Sequence, residues 1–467
     1  MEGITLKLIY NIKDKPKFGS LVVFAFQQLL AIMAATIAVP AIVGNGMTAS
    51  AALFGAGVGT IVYLLFTKFN SPVFLGSSFA FISSMLAAFA GAGSYAGLGF
   101  LGLILGALFA GLVYVVIAII VKFAGVKWIN KLMPAVVIGP TVAIIGLSLA
   151  GNAVGDMLKS DVATGAAETP ANYVALICGL VTLLVVTLCS VYGKKTLKLI
   201  PFIIGILAGY AVALIFTCIG VATGNTTLQI IDFKPFTDLV ANGVKFNTFL
   251  SFPEFTFMKA AQGVKHLSSA YIGTVAVAYI PVAFVVFAEH IADHKNLSSI
   301  IEKDLIEYPG LSRTLLGDGV GSMAGALFGG CPNTTYGESV GCVAITRNAS
   351  VYTILTTAII AMLISFISPF VAFLDSIPAC VMGGVCMTLY GFIAVSGLKM
   401  VQKVDLDDNR NLFVVSVILI AGIGGLSVTF GKVTITEIAC ALILGILINI
   451  VLGGAKKSAS KTEEKSE

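Results

Sequence analysis

Residues 332–346 read Pro332-Asn333-Thr334-Thr335-Tyr336-Gly337-Glu338-Ser339-Val340-Gly341-Cys342-Val343-Ala344-Ile345-Thr346, and residues 72–90 open with Pro72 and run on through Gly76-Ser77-Ser78-Phe79-Ala80-Phe81. Both stretches are short, start with proline, and carry glycine and hydroxyl residues where a plain membrane-spanning helix would carry leucine. Their surroundings are long apolar runs. A bilayer-spanning helix takes about 20 apolar residues. On that measure candidate segments fall at 20–43, 47–67, 72–90, 97–121, 132–151, 171–192, 200–223, 270–290, 312–330, 335–346, 350–373, 378–397, 411–428 and 435–453. One broken stretch is the third segment of the first seven, and the other is the third of the second seven. Interrupted segments at corresponding places in two halves point to a transporter's midplane site, and an odd number of crossings per half makes the repeat inverted. The expected fold is an all-α polytopic membrane protein with fourteen transmembrane segments in two inverted seven-segment repeats, broken or extended in segments 3 and 10. The plainer reading is that glycine and hydroxyl residues only permit close helix packing, as expected at Gly102 and Gly106. The matched positions favour a site.

Composition agrees with a membrane protein. Of 467 residues, 58% are hydrophobic and 11% are charged, with a mean hydropathy of +1.01. Soluble domains are about 25% charged, so a soluble multidomain enzyme is excluded, as is a disordered chain. The apolar residues come in unbroken runs, which excludes a barrel of alternating strands. Basic residues then set orientation. Only Lys159, Lys234, Lys245, Lys259, Lys265 and Lys432 fall on the side opposite the N-terminus, so the other 22 of the 28 Lys and Arg share one side. Positive charge marks the cytoplasm, so an even number of crossings with both termini cytoplasmic is expected. Scattered lysines and a net charge of +5 give no nucleic-acid footprint. The eight cysteines lie mostly inside apolar runs without a Cys-x-x-Cys pair and read as small core residues.

Ionisable residues at bilayer depth cost about 2.5–3.5 kcal/mol each on insertion scales, so the few present need a reason. They are Glu289, His290, Asp293 and His294 at the end of segment 8, Asp318 in segment 9 and Glu338 in segment 10. Glu289 and Asp293, four apart, lie about 40° apart on a helix and share a face, with His290 and His294 about 100° round. Glu289, directly after Val285-Val286-Phe287-Ala288, reads as a site residue, whereas His294 and Lys295 are expected at the solvated cytoplasmic edge, with His294 kept as a candidate for site support. Glu338 sits beside Gly337 at the start of a short helix whose free N–H groups suit a ligand carbonyl. Asp318 either relays protons or braces the broken segment. His290-x-x-Asp293-His294 imitates an inverted zinc-protease motif but lacks its Glu and third ligand. The run Gly317-Asp318-Gly319-Val320-Gly321-Ser322 fails the dinucleotide pattern, and no Walker lysine motif occurs. Neither a metal nor another cofactor is expected.

At these residues the chain resembles the nucleobase–ascorbate transporter (nucleobase–cation symporter-2) family, nearest its bacterial uracil carriers. The resemblance rests on Ala288-Glu289-His290, on Pro332 to Glu338, on Ala344-Ile345-Thr346-Arg347 and on Gly76 to Ile82, and it runs from about Gln27 to about residue 450. It implies fourteen segments divided into a core domain (20–124 and 270–373) and a gate domain (132–223 and 378–453). An external loop lies at 224–269, with cytoplasmic ends at 1–19 and 454–467. It implies a uracil importer of the bacterial cytoplasmic membrane, coupled to protons and working by alternating access, with lipid as surroundings and a homodimer as assembly. Glu289 and Glu338 would hold the uracil ring, Phe79 would stack near it, Tyr336 and Gly337 would offer backbone contacts, and Ala35 and Tyr390 would line the site. Asp293, Asp318, His294 and Ser339 would couple protons or support the site. Three departures stand out: Ser339 replaces the family's usual Asn, Gln27-Gln28 stands for Gln-His, and Asp293 occupies a position that is His in the best-known bacterial uracil carrier. A purine carrier of the same fold, a channel, Na⁺ coupling, and an anion transporter of the related sulfate-carrier fold are the competing readings.

Overall fold

The computed structural model describes residues 8–125, 128, 134–160, 172–194, 196–241, 243–430 and 433–463. Apolar runs in lipid must satisfy their own backbone hydrogen bonds, so they coil. The first half holds α1 (Phe18–Val43), α2 (Ala49–Phe66), an extended β1 (Leu75–Ser77), a 3-10 turn at Phe79–Phe81, α3 (Ile82–Ala92) and α4 (Ala96–Ala124). There follow α5 (Ala135–Ser148), α6 (Ala150–Leu158), α7 (Asn172–Tyr192), the short α8 (Thr196–Leu199) and α9 (Pro201–Thr223). The long connection carries α10 (Lys234–Val240), α11 (Phe246–Phe249) and α12 (Thr256–Ala261). The second half holds α13 (Ser269–Ile301), α14 (Leu311–Gly329), β2 (Asn333–Thr335), α15 (Gly337–Thr346), α16 (Val351–Ile364), α17 (Ser368–Asp375), α18 (Ala379–Val401), α19 (Asn409–Ile423), the hairpin β3 (Val428–Phe430) and β4 (Val433–Ile435), and α20 (Glu437–Glu463). Among the described residues eight helices are long and apolar enough to cross a membrane.

Packing follows two groupings. In one, α14 lies against α2 and α4, α13 against α3 and α4, and α16 against α1 and α2. In the other, α18 lies against α5, α6 and α7, α9 against α7, and α19 against α5 and α20. Between them, α1 touches α9 and α18, and α13 touches β4 and α20. The long connection is fastened to the first grouping. The rings of Phe255 and Phe257 pack on Phe328, with Phe54 joining from α2, and Lys259 Nζ donates to the Gly46 carbonyl at 2.7 Å.

The two broken stretches meet. β1 and β2 pair antiparallel, with Leu75 opposite Thr335, Gly76 opposite Thr334 and Ser77 opposite Asn333. Ser78 N–H adds a bond to the Pro332 carbonyl at 2.9 Å. Gly76 is needed there because a Cβ would run into the Tyr336 ring. Asn333 Nδ2 donates to the Gly55 carbonyl at 3.1 Å, and Thr60 Oγ1 accepts from Leu75 N–H at 2.9 Å, so α2 anchors both strands.

Several boundaries differ from the sequence expectation. Segment 8, read as 270–290, continues as helix to Ile301. Segment 11 divides into α16 and α17, and segment 13 stops being helical at Ile423. Segment 5 opens at 132, and residues 131–133 lie outside the described residues. Gly102 and Gly106 lie where α13 packs on α4. Their open faces admit the Tyr271 and Tyr279 side chains from α13.

Candidate functional site

α13 carries polar residues on two faces. On one, Glu289 and Asp293 border a cavity of about 430 Å³. Glu338 and Gly337, from the first turn of α15, border the same cavity, as do Ala31 of α1, Phe202 of α9, and Phe392 and Ile393 of α18. The three carboxylates are half-buried in a wall that is otherwise mostly apolar. Lys198 and Met400 also border the cavity, and Lys198 is exposed.

Asp293 is held by a side-chain partner, and the helix turn that carries Glu338 is fixed through its neighbour Ser339. Thr335 Oγ1 donates to Asp293 Oδ2 at 2.6 Å, tying β2 to α13. Ser339, one residue past Glu338 and fully buried, accepts from Gln28 Nε2 at 2.6 Å and from Phe74 N–H at 3.3 Å. That bond pair fastens the first turn of α15 to α1 and to the lead-in of β1. The first N–H groups of α15 have no helical acceptor, and the helix dipole makes this end attractive to a carbonyl oxygen or an anion. The site therefore offers carboxylate acceptors on one side and backbone donors on the other.

The second face of α13 is closed. His290 and His294 are fully buried and stacked, with ring centroids 4.0 Å apart. His290 Nδ1 lies 2.7 Å from Asp318 Oδ2, and its Nε2 lies 3.0 Å from Thr314 Oγ1. His294 Nδ1–H donates to the His290 carbonyl at 2.8 Å, and its Nε2 lies 2.7 Å from Tyr63 Oη, which is itself 2.7 Å from Ser71 Oγ. His294 is thus not at a solvated edge. The helix does not end at residue 290, and Tyr63 on α2 satisfies the ring. Lys295, next in sequence, is exposed as expected. Asp318 braces α13 through His290, and that bond runs to α13, not to the broken segment. Among the described residues no group of three His, Cys, Asp or Glu is arranged to hold a metal ion.

The remaining candidates sit deeper. Phe79 and Tyr390 are buried and meet edge to face, with centroids 5.7 Å apart. Tyr336 is buried and donates from its hydroxyl to the Ser77 carbonyl at 2.9 Å. Ala35 is buried, and Ala31, one turn earlier on α1, borders the cavity instead. Tyr390 borders a separate space of about 140 Å³ with Gly146 and Ala153. Sequence reasoning missed Thr335 and Tyr63 as partners and Gln28 as the donor to Ser339. The amide pair Gln27-Gln28 in the otherwise apolar helix α1 was the available signal.

The Permease family matches residues 19–431. A "Uracil permease" of Bacillus subtilis (strain 168) is 38% identical over 98% of this chain and 98% of its own. One from Escherichia coli (strain K12) is 33% identical over 94% and 93%, respectively. In structure, the transmembrane domain of a cyanobacterium bicarbonate transporter, BicA, superposes with a TM-score of 0.62 at 13% identity, over 94% of this chain and 100% of that one. Murine Solute Carrier 26 family member A9, an anion transporter in the inward-facing state, gives 0.63 at 11% over 95% and 69%. At such identity these two likenesses speak for the fold alone.

Proposed function

Because this chain belongs to the Permease family, whose members match it nearly end to end, we propose that it imports uracil together with a proton. Membership makes it a multi-pass membrane transporter and not an enzyme. The observation that carries the substrate reading is the pairing of Glu289 and Glu338 with the open N-terminus of α15 around one cavity. Uracil presents N–H donors beside carbonyl acceptors. Ionised carboxylates accept from the N–H groups, and backbone N–H groups serve the carbonyls. A site that bonds particular ring atoms rejects analogues lacking them, because its buried partners would go unpaired. The relatives named for uracil support this reading over a purine carrier.

Fourteen segments in two inverted repeats, with both termini cytoplasmic, accommodate the helices and the charge bias. The first packing grouping is the core and carries the acidic site. The second is the gate. Lys198 and Met400 mark the cytoplasmic mouth of the cavity, so the molecule stands open inward, with Phe79 and Tyr390 closing the outer side. Alternating access is movement of core against gate.

Proton entry with neutral uracil carries one charge inward. A potential of 100 mV supplies about 2.3 kcal/mol, or roughly 50-fold accumulation. Uptake of labelled uracil into proteoliposomes under imposed pH or Na⁺ gradients is the test. Accumulation driven by an inward proton gradient and collapsed by a protonophore is expected. Accumulation driven by Na⁺ alone overturns the coupling, and downhill flow without accumulation overturns the symporter reading in favour of a channel.

A further inference from the structure

The outer closure has a polar component that lies outside the substrate site. Ser83, in the first turn of α3, donates from Oγ to Glu437 Oε1 at 2.6 Å. Glu437 is the first residue of α20, just beyond the β3–β4 hairpin, and both side chains are part-buried. The bond joins the two packing groupings. Phe79 stands one turn before Ser83, and its edge-to-face contact with Tyr390 joins the same groupings. One face of the segment that starts at β1 therefore carries two contacts across the seam, an aromatic one at the site and a charged one a turn further out.

We infer that Ser83 and Glu437 form a latch that holds the outer seam shut while the cavity is open at the Lys198 end. This rests on the core-and-gate reading above. An O–H donor on a carboxylate at 2.6 Å is a charge-assisted bond, about twice as strong as a neutral one. A bond made in one state and absent in the other biases their populations by its differential free energy. Core and gate cannot separate on this side without breaking it. Glu437 also occupies the N-terminal end of α20, where a carboxylate suits the helix dipole. Ser83 has no such second role, so substitution there isolates the latch.

The test uses Ile37, which is buried and borders a space of about 200 Å³ between α1 and the Leu374–Met382 region. With the exposed Cys218 changed to serine, Ile37→Cys reports opening of the seam through its rate of labelling by a membrane-impermeant maleimide in intact cells. Ser83→Ala is expected to raise that rate about tenfold, as loss of a hydrogen bond to a charged group implies. Glu437→Ala is expected to match it, and Ser83→Thr, which keeps the hydroxyl, is expected to stay near the parent. Equal labelling in Ser83→Ala and parent overturns the latch. So does faster labelling in Ser83→Thr and Ser83→Ala alike, because the hydroxyl would then be irrelevant. Labelling is read without uracil, so it is independent of the substrate assignment. A parent that takes up no uracil while Ser83→Ala still labels faster sinks that assignment and leaves the latch.

Discussion

The two faces of α13 use the same kinds of residue for opposite ends. Glu289 and Asp293 border an open cavity, and Asp293 accepts from the Thr335 hydroxyl. His290 and His294, about 100° round the helix, are fully enclosed and bonded at both ring nitrogens. In a chain with so little charge, polarity at membrane depth is thus not one signal. A polar group whose partners are complete holds helices together. A polar group facing a cavity with acceptor capacity to spare is available to a ligand.

Substitutions on the two faces should separate accordingly. The largest effect is expected on the closed face. Asp318→Ala leaves the fully buried His290 ring without its carboxyl partner, and a buried polar group left unpaired costs about 3 kcal/mol, the upper end of the usual range. Thermal unfolding in detergent should fall sharply and uptake should vanish with the folded protein. A variant that keeps its melting temperature but loses proton-driven uptake would place Asp318 in proton transfer. Next, on the open face, Glu289→Gln and Glu338→Gln should each cut uracil uptake about a hundredfold or more, since a mispaired ring is rejected strongly. Melting temperature and membrane insertion should stay near the parent's. Normal uptake in both would remove these residues from the site.

A smaller effect, about 1–3 kcal/mol of stability, is expected for Tyr63→Phe, which strips His294 Nε2 of its partner. Substrate competition profiles should not move. Smallest is Thr335→Val, which removes the hydroxyl donor to Asp293 and leaves the carboxylate in place. Loss of one such bond is worth about 1.5–3 kcal/mol to the ionised form, and the change should appear in the pH dependence of uptake while stability stays close to the parent's. An unchanged pH profile would show that Asp293 does not take part in coupling.

How much of this was readable beforehand follows the same division. The broken stretches could be read because proline, glycine and hydroxyl residues are conspicuous against leucine and valine, and their pairing as β1 and β2 gives that pattern a physical form. Glu289 and Glu338 could be picked out by rarity alone. The closed face could not be read. Hydropathy falls at His294-Lys295-Asn296, which looks like the end of a span, and nothing local shows that Tyr63, 231 positions away, completes the ring. The Gln28–Ser339 bond likewise joins residues 311 positions apart. Each looked like an isolated departure from the family pattern, yet they are partners. The depth of Phe79, Tyr336 and Tyr390 behind the cavity also depends on how helices from both groupings close together, which spacing along the chain does not encode.

The central claim is that uracil and protons enter together through the acidic cavity. Proteoliposomes loaded with a pH indicator in weak buffer, with no imposed pH difference, test it directly when uracil is added outside. Acidification of the lumen that begins with uracil and is lost in Glu289→Gln and Glu338→Gln is the predicted result. Uracil entry with an unchanged lumenal pH would contradict it.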